Sequence, residues 1–117
     1  MKVGIDELRT LVQRALQGAG ANEAMAASTA RALVLAESQG IGSHGLSRVS
    51  QYATHLRNGR VDGAAVPRVA NQRGGAVQVD AGCGLAFPAC ALAVEDAIGR
   101  ARVEYTLTEV APRRLRR

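Results

Sequence analysis

Gly40-Ile41-Gly42-Ser43-His44-Gly45-Leu46-Ser47-Arg48 ends one apolar helical pattern and opens another. Ser43 is a good N-cap, so a helix is expected from about Ser43 to Asn58, closed by Gly59 at its C′ position. His44 then falls in the first turn, and Arg48, four residues on, lies on the same face. Tyr52 and His55 continue that stripe. A proton donor, a planar cation and a phenol on one helical face suit an oxygen-rich substrate.

Upstream, Ile5, Leu8, Leu11, Val12, Ala15 and Leu16 recur at helical spacing, with Glu7, Arg9 and Arg14 between them. Gly4 is an acceptable N-cap, and Glu7 stands where a capping-box carboxylate reaches back. Gly18 and Gly20 stop this first helix. Asn22 is the next N-cap, followed by Glu23 at the positive end of the helix dipole. Ala26, Ala30, Leu33, Val34 and Glu37 carry the second helix, whose alanines permit close approach of a neighbour. Leu8, Leu11, Leu33 and Leu56 are the expected packing residues of the helical region.

Beyond Gly59 the character changes. Residues 61–67 read as a connection with a turn at Asp62-Gly63 and a stop at Pro67. Val66, Val69, Val77 and Val79 mark two short extended segments, separated by Asn71-Gln72-Arg73-Gly74-Gly75. Gly82-Cys83-Gly84 turns into a fourth helix through Ala89, Leu92, Ala93, Ala97 and Ile98, ending near Gly99. A dinucleotide-binding fingerprint fails here, because its third glycine would fall on Phe87. Residues 103–110 read as a strand, and 111–117 as a basic, disordered tail. The fold class is therefore α+β: three N-terminal helices, short strands and a fourth helix. Residues 1–60 form a helical region, 61–102 begin an α/β domain, and 103–117 are an aberrant tail.

Composition narrows the function classes. Of 117 residues, 47 % are hydrophobic but only 3 % aromatic, so the core must be built from small aliphatic side chains. No apolar run approaches the roughly 20 residues of a membrane span, and no secretory leader opens the chain, so a cytoplasmic protein is expected. Residues 1–99 carry nine Lys/Arg against eight Asp/Glu, whereas 100–117 carry six arginines against Glu104 and Glu109. The positive excess is thus a tail rather than a folded basic face, which argues against a nucleic-acid partner. Cys83 and Cys90 are seven apart, too far for a redox pair of the Cys-x-x-Cys kind. They read as buried reduced thiols, with no metal site.

The run Gly40-Ile41-x-Ser43-His44-Gly45-x-x-Arg48-x-x-x-Tyr52, followed by Gly59, Pro67-x-Val69 and Val79-Asp80-Ala81-Gly82-x-Gly84, resembles the malate/L-lactate dehydrogenase family. These are NAD(P)-dependent 2-oxoacid reductases, with ureidoglycolate, sulfolactate and cyclic imino acid relatives, unrelated to Rossmann-fold lactate dehydrogenases. The resemblance covers residues 5–102. It implies that His44 is the acid/base histidine, that Arg48 holds the substrate carboxylate, and that Ser43 is a polar neighbour at the substrate site. It also implies NAD or NADP as cofactor, a small 2-oxo or 2-hydroxy acid as substrate, and a homodimer in full-length form. Family members are much longer, so the chain reads as an N-terminal portion truncated before the main cofactor-binding region, with cofactor-binding residues unassigned. The competing reading is an inactive remnant or association module. Tyr52 reads as packing, His55 as structural or exposed, and Asp80 as a strand-end residue.

Overall fold

A computed structural model describes residues 2–110, with side chains through Arg102. Helix α1 runs Ile5–Gly18 and α2 Glu23–Ser38. A single 3₁₀ turn, Gly42–His44, precedes α3, Ser47–Arg57. Strands β1, Arg68–Arg73, and β2, Ala76–Asp80, form an antiparallel hairpin, and α4 spans Ala86–Val110. The architecture is α+β as the sequence implies. The expected tail at 111–117 lies outside the described residues.

The core is the contact of α1 with α2. Val12 and Leu16 of α1 meet Met25, Ala26, Ala30, Leu33 and Val34 of α2, with Ala53 and Leu56 of α3 and Leu85 closing the cluster. Alanine on α2 lets the helices approach, and each aliphatic side chain fully removed from water contributes about 1.5–3 kcal/mol. Asn22 caps α2 as expected, its Oδ1 accepting from the Met25 amide at 2.9 Å. At the other end, Gly40 at φ +79° completes a Schellman motif: Ile41 N–H donates to Ala36 O at 2.9 Å and Gly40 N–H to Glu37 O at 3.1 Å.

Thr29 is fully buried in α2, and its hydroxyl has no hydrogen-bond partner among the described residues. A buried unsatisfied hydroxyl costs about 1–3 kcal/mol. Thr29→Val keeps the shape and removes that cost, so it is expected to stabilise the chain by about 1 kcal/mol. A urea midpoint at or below that of the wild type would contradict this.

Several expectations are corrected. Ser43 does not cap α3, and His44 is not in its first turn: the chain makes the 3₁₀ turn first, and Leu46 is the N-cap. Local capping chemistry at Ser43 loses to a tertiary bond, because Glu37 Oε1 takes the Leu46 amide at 2.9 Å. Gly4 is the N-cap of α1 as expected, but no side-chain capping bond forms there. Leu11 is 51 % exposed, since α1 turns Val12 and Leu16 inward instead; Leu33 and Leu56 are buried and Leu8 packs against the core. Helix α4 does not stop at Gly99, and 103–110 are helical rather than a strand. A lone strand there would leave its ladder unpaired, whereas the helix satisfies its own backbone. The Asp96–Arg100 ion pair, one turn apart, bridges Gly99, whose helical cost is only about 1 kcal/mol.

The hairpin is longer than its valines suggested. Strand β1 continues through Arg73, which pairs with Ala76 across a two-residue Gly74-Gly75 turn. Both cysteines are free and exposed rather than buried: Cys83 sits in the turn before α4 and Cys90 on the helix surface. The connection after α3 is strapped to the α1–α2 corner. Asn22 N–H donates to Gly63 O at 2.8 Å and its Nδ2 to Ala65 O at 3.0 Å, while Asp62 N–H donates to Cys83 O at 2.9 Å.

Candidate functional site

The turn between α2 and α3 gathers three of the residues singled out by sequence. Ser43 Oγ lies 2.9 Å from His44 Nδ1. Arg48 Nε donates to the Ser43 carbonyl at 2.8 Å, and its Nη1 donates to Gln51 Oε1 at 2.9 Å. His44 is exposed and Arg48 half-buried. Ser43 engages the imidazole at Nδ1, so Nε2 remains for an incoming ligand. Arg48, tied down by Nε, keeps Nη2 and one Nη1 hydrogen unengaged among the described residues. A carboxylate needs that end of the guanidinium fork for two parallel hydrogen bonds.

The turn owes its path to α2. Gly45 is buried against Glu37 so closely that a Cβ there would stand 2.7 Å from Glu37 Oε1 and 3.1 Å from Glu37 Cα. Ser47 Oγ donates to Gly42 O at 2.8 Å, closing the turn on its other side. The glycine of Ser43-His44-Gly45 is therefore a steric requirement of helix–turn contact. Glu37 entered the sequence pattern only as a residue of the second helix, not as a residue of the site. Its signal was an acid in the last turn of a helix, where the dipole disfavours negative charge.

The rest of the anticipated stripe serves packing. Tyr52 turns to Phe87 of α4, edge to face, with ring centroids 6.0 Å apart and an interplanar angle of 61°. His55 accepts the Val61 amide through its backbone carbonyl at 3.1 Å. Asp80 is a strand-end residue: its Oδ1 accepts from Gly82 N–H at 2.8 Å and its Oδ2 pairs with Arg68 at 3.4 Å.

The glycine turn before α4 does not offer a phosphate cradle. Gly82 N–H is taken by Asp80, and Gly84 N–H donates to Ala81 O at 3.1 Å. A pyrophosphate site needs such amides free and converging. The Gly82–Gly84 turn thus does not fit a pyrophosphate. An apolar groove of about 590 Å³ runs between α2 and α4, with Leu35, Phe87, Val94 and Ile98 on its walls, and includes none of Ser43, His44 and Arg48. Among the described residues there is no cluster of three metal-ligating side chains and no helix long and apolar enough to cross a membrane.

Comparison with known proteins places these observations. Residues 3–109 match the Malate/L-lactate dehydrogenase family. The chain is 45 % identical over 109 residues to a (2R)-3-sulfolactate dehydrogenase (NADP(+)) of Chromohalobacter salexigens, covering 93 % of this chain and 32 % of that protein. It is 39 % identical over 102 residues to a Δ1-pyrroline-2-carboxylate/Δ1-piperideine-2-carboxylate reductase of Pseudomonas putida, covering 87 % of this chain and 30 % of that one. The crystal structure of the Δ1-piperideine-2-carboxylate reductase of Pseudomonas syringae superposes with a TM-score of 0.83 at 35 % identity, over 89 % of this chain and 31 % of its own. A malate dehydrogenase of Pyrococcus horikoshii gives 0.79 at 27 % identity, over 87 % of this chain and 29 % of its own. The chain spans about a third of the length of these relatives.

Proposed function

This chain belongs to the malate/L-lactate dehydrogenase family, and from that premise we propose that it carries the proton-exchange and carboxylate-binding part of a 2-hydroxy acid/2-oxo acid oxidoreductase. The observation that supports this most is the single turn joining Ser43, His44 and Arg48, with His44 held at Nδ1 by Ser43 and Arg48 at Nε by the Ser43 carbonyl. His44 exchanges a proton with the substrate oxygen at Nε2. Ser43 Oγ occupies Nδ1, which leaves Nε2 as the ring nitrogen for proton exchange. Arg48 presents its Nη edge to the carboxylate and fixes the reacting carbon relative to His44.

Reduction of a 2-oxo acid also requires a hydride donor. The family implies a nicotinamide, and the name of the sulfolactate relative carries NADP+. The Gly82–Gly84 turn offers no pyrophosphate site and the chain spans about a third of its relatives' length, so the 117-residue chain alone is expected to turn nothing over. Catalysis, substrate choice and dimer formation are proposed for a full-length protein carrying this sequence.

In such a protein, Arg48→Lys is expected to raise KM for 2-oxo acids by about tenfold or more while changing kcat less, because an ammonium cannot make the two-pronged contact. Steady-state kinetics with pyruvate, oxaloacetate and a cyclic imino acid read the effect. An unchanged KM for every active substrate would remove Arg48 from carboxylate binding. Oxidation of NADH or NADPH by the purified 117-residue chain would refute the assignment of the cofactor site elsewhere.

A further inference from the structure

We propose that Glu37 is a positioning residue for His44: its carboxylate, delivered from the last turn of α2, fixes the Gly42–Leu46 turn that presents the imidazole, a role that rests on the proton-exchange reading of His44. Glu37 Oε1 accepts the Leu46 amide at 2.9 Å, and Oε2 faces Gly42, where an added Cβ would lie 3.8 Å away. The two oxygens therefore bracket the segment that contains Ser43 and His44.

The other bonds of the turn are local: His44 N–H donates to Ile41 O at 3.0 Å and Arg48 N–H to Gly45 O at 3.0 Å. It is one 3₁₀ turn whose last bond, Gly45 N–H to Gly42 O, is long at 3.3 Å, and such turns have poorer hydrogen-bond geometry than an α-helix. His44 is exposed, and its side chain meets the neighbouring Ser43 hydroxyl. The Ser47 and Arg48 side-chain bonds join residues five apart in sequence and are exposed. The Glu37–Leu46 bond is part-buried and ties the turn to a different helix. Charge explains why a carboxylate does this. At the C-terminal end of α2 the acid is disfavoured, but at the amide end of α3 the same charge is favoured, and a bond to a carboxylate is about twice as strong as a neutral one.

A cap that merely stabilised α3 would leave the imidazole indifferent to its loss. Positioning of His44 predicts otherwise, and nitrogen-15 spectra of the two histidine rings in the full 117-residue chain separate the cases, with His55 as internal reference. Glu37→Met keeps the side-chain stem and removes the acceptor; Glu37→Gln keeps an acceptor oxygen. Expected are a through-hydrogen-bond coupling between Leu46 N and Glu37 Cδ in the wild type, and amide exchange at Leu46 about tenfold or more faster in Glu37→Met. His44 ring signals should shift in Glu37→Met while those of His55 stay in place, and Glu37→Gln should restore both. The idea fails if the folded wild type lacks the coupling, if His44 in Glu37→Met coincides with wild type, or if Glu37→Gln does not restore it. Should Glu37→Met not fold, Glu37→Asp, whose shorter stem draws the acceptor away from Leu46, is read in the same way at the His44 ring. Failure of the proton-exchange reading is seen separately, as unchanged kinetics of His44→Ala.

Discussion

In a full-length protein carrying this sequence, His44→Ala is expected to lower kcat by about 10²–10⁴-fold, the usual worth of general acid–base catalysis. That is about 3–5.5 kcal/mol of transition-state stabilisation. His44 is exposed and, among the described residues, its side chain bonds only its neighbour Ser43, so the substitution should alter stability by no more than about 0.5 kcal/mol. Lost turnover at unchanged melting temperature would therefore report chemistry. Ser43→Ala should have a smaller effect of the same kind, because it frees the ring without removing the proton carrier. Unchanged kcat in His44→Ala would show that the proton moves elsewhere.

Gly63→Ala is expected to lower stability by about 3 kcal/mol, at the upper end of what overpacking usually costs. A Cβ at residue 63 would lie 1.9 Å from Gly20 O, 2.7 Å from Gly20 C and 3.2 Å from Ala21 N. All three atoms are backbone in the corner between α1 and α2, so no side chain can swing away. Relief requires separating the strap from the corner, which breaks Asn22 N–H to Gly63 O and strains Asn22 Nδ2 to Ala65 O. Each kcal/mol moves the midpoint of a domain this size by about 4–8 °C, so the melting temperature should fall by more than about 10 °C. A midpoint within a few degrees of wild type would show that the corner yields more readily than its contacts imply.

Both residues were visible in the sequence, though unequally. His44 stood out because Ser43-His44-Gly45 and Arg48 have a spacing with chemical meaning. Gly63 read only as half of an Asp-Gly turn, because its partner at Gly20 is a tertiary contact that no local pattern encodes. The same distinction separates the other successes from the corrections. Helices α1 and α2 follow from apolar periodicity and from Asn22, whose cap is local. The start of α3 was misplaced because Glu37, nine residues from Leu46, overrides the capping preference of Ser43. Leu11 and the cysteines were read as buried because periodicity gives a stripe without saying how wide a neighbour covers it. The full length of α4 was hidden by β-branched and aromatic residues after Arg102, whose strand propensity has no adjacent strand to act upon.

The strap at the α1–α2 corner sets the order in which the molecule should assemble. The bonds that shape the His44 turn join residues five to nine apart, so closing them costs little chain entropy. The junction of Asn22 with Ala65 spans 43 residues, and the bond from Asp62 to Cys83 closes a further loop around the hairpin. Contacts of long sequence separation are made late and slow the reaction that depends on them. The helical corner bearing Ser43, His44 and Arg48 should accordingly form first, and the hairpin and α4 should dock onto it. In reverse, the first cooperative opening should release α4 and the strands while the imidazole and guanidinium keep their mutual geometry.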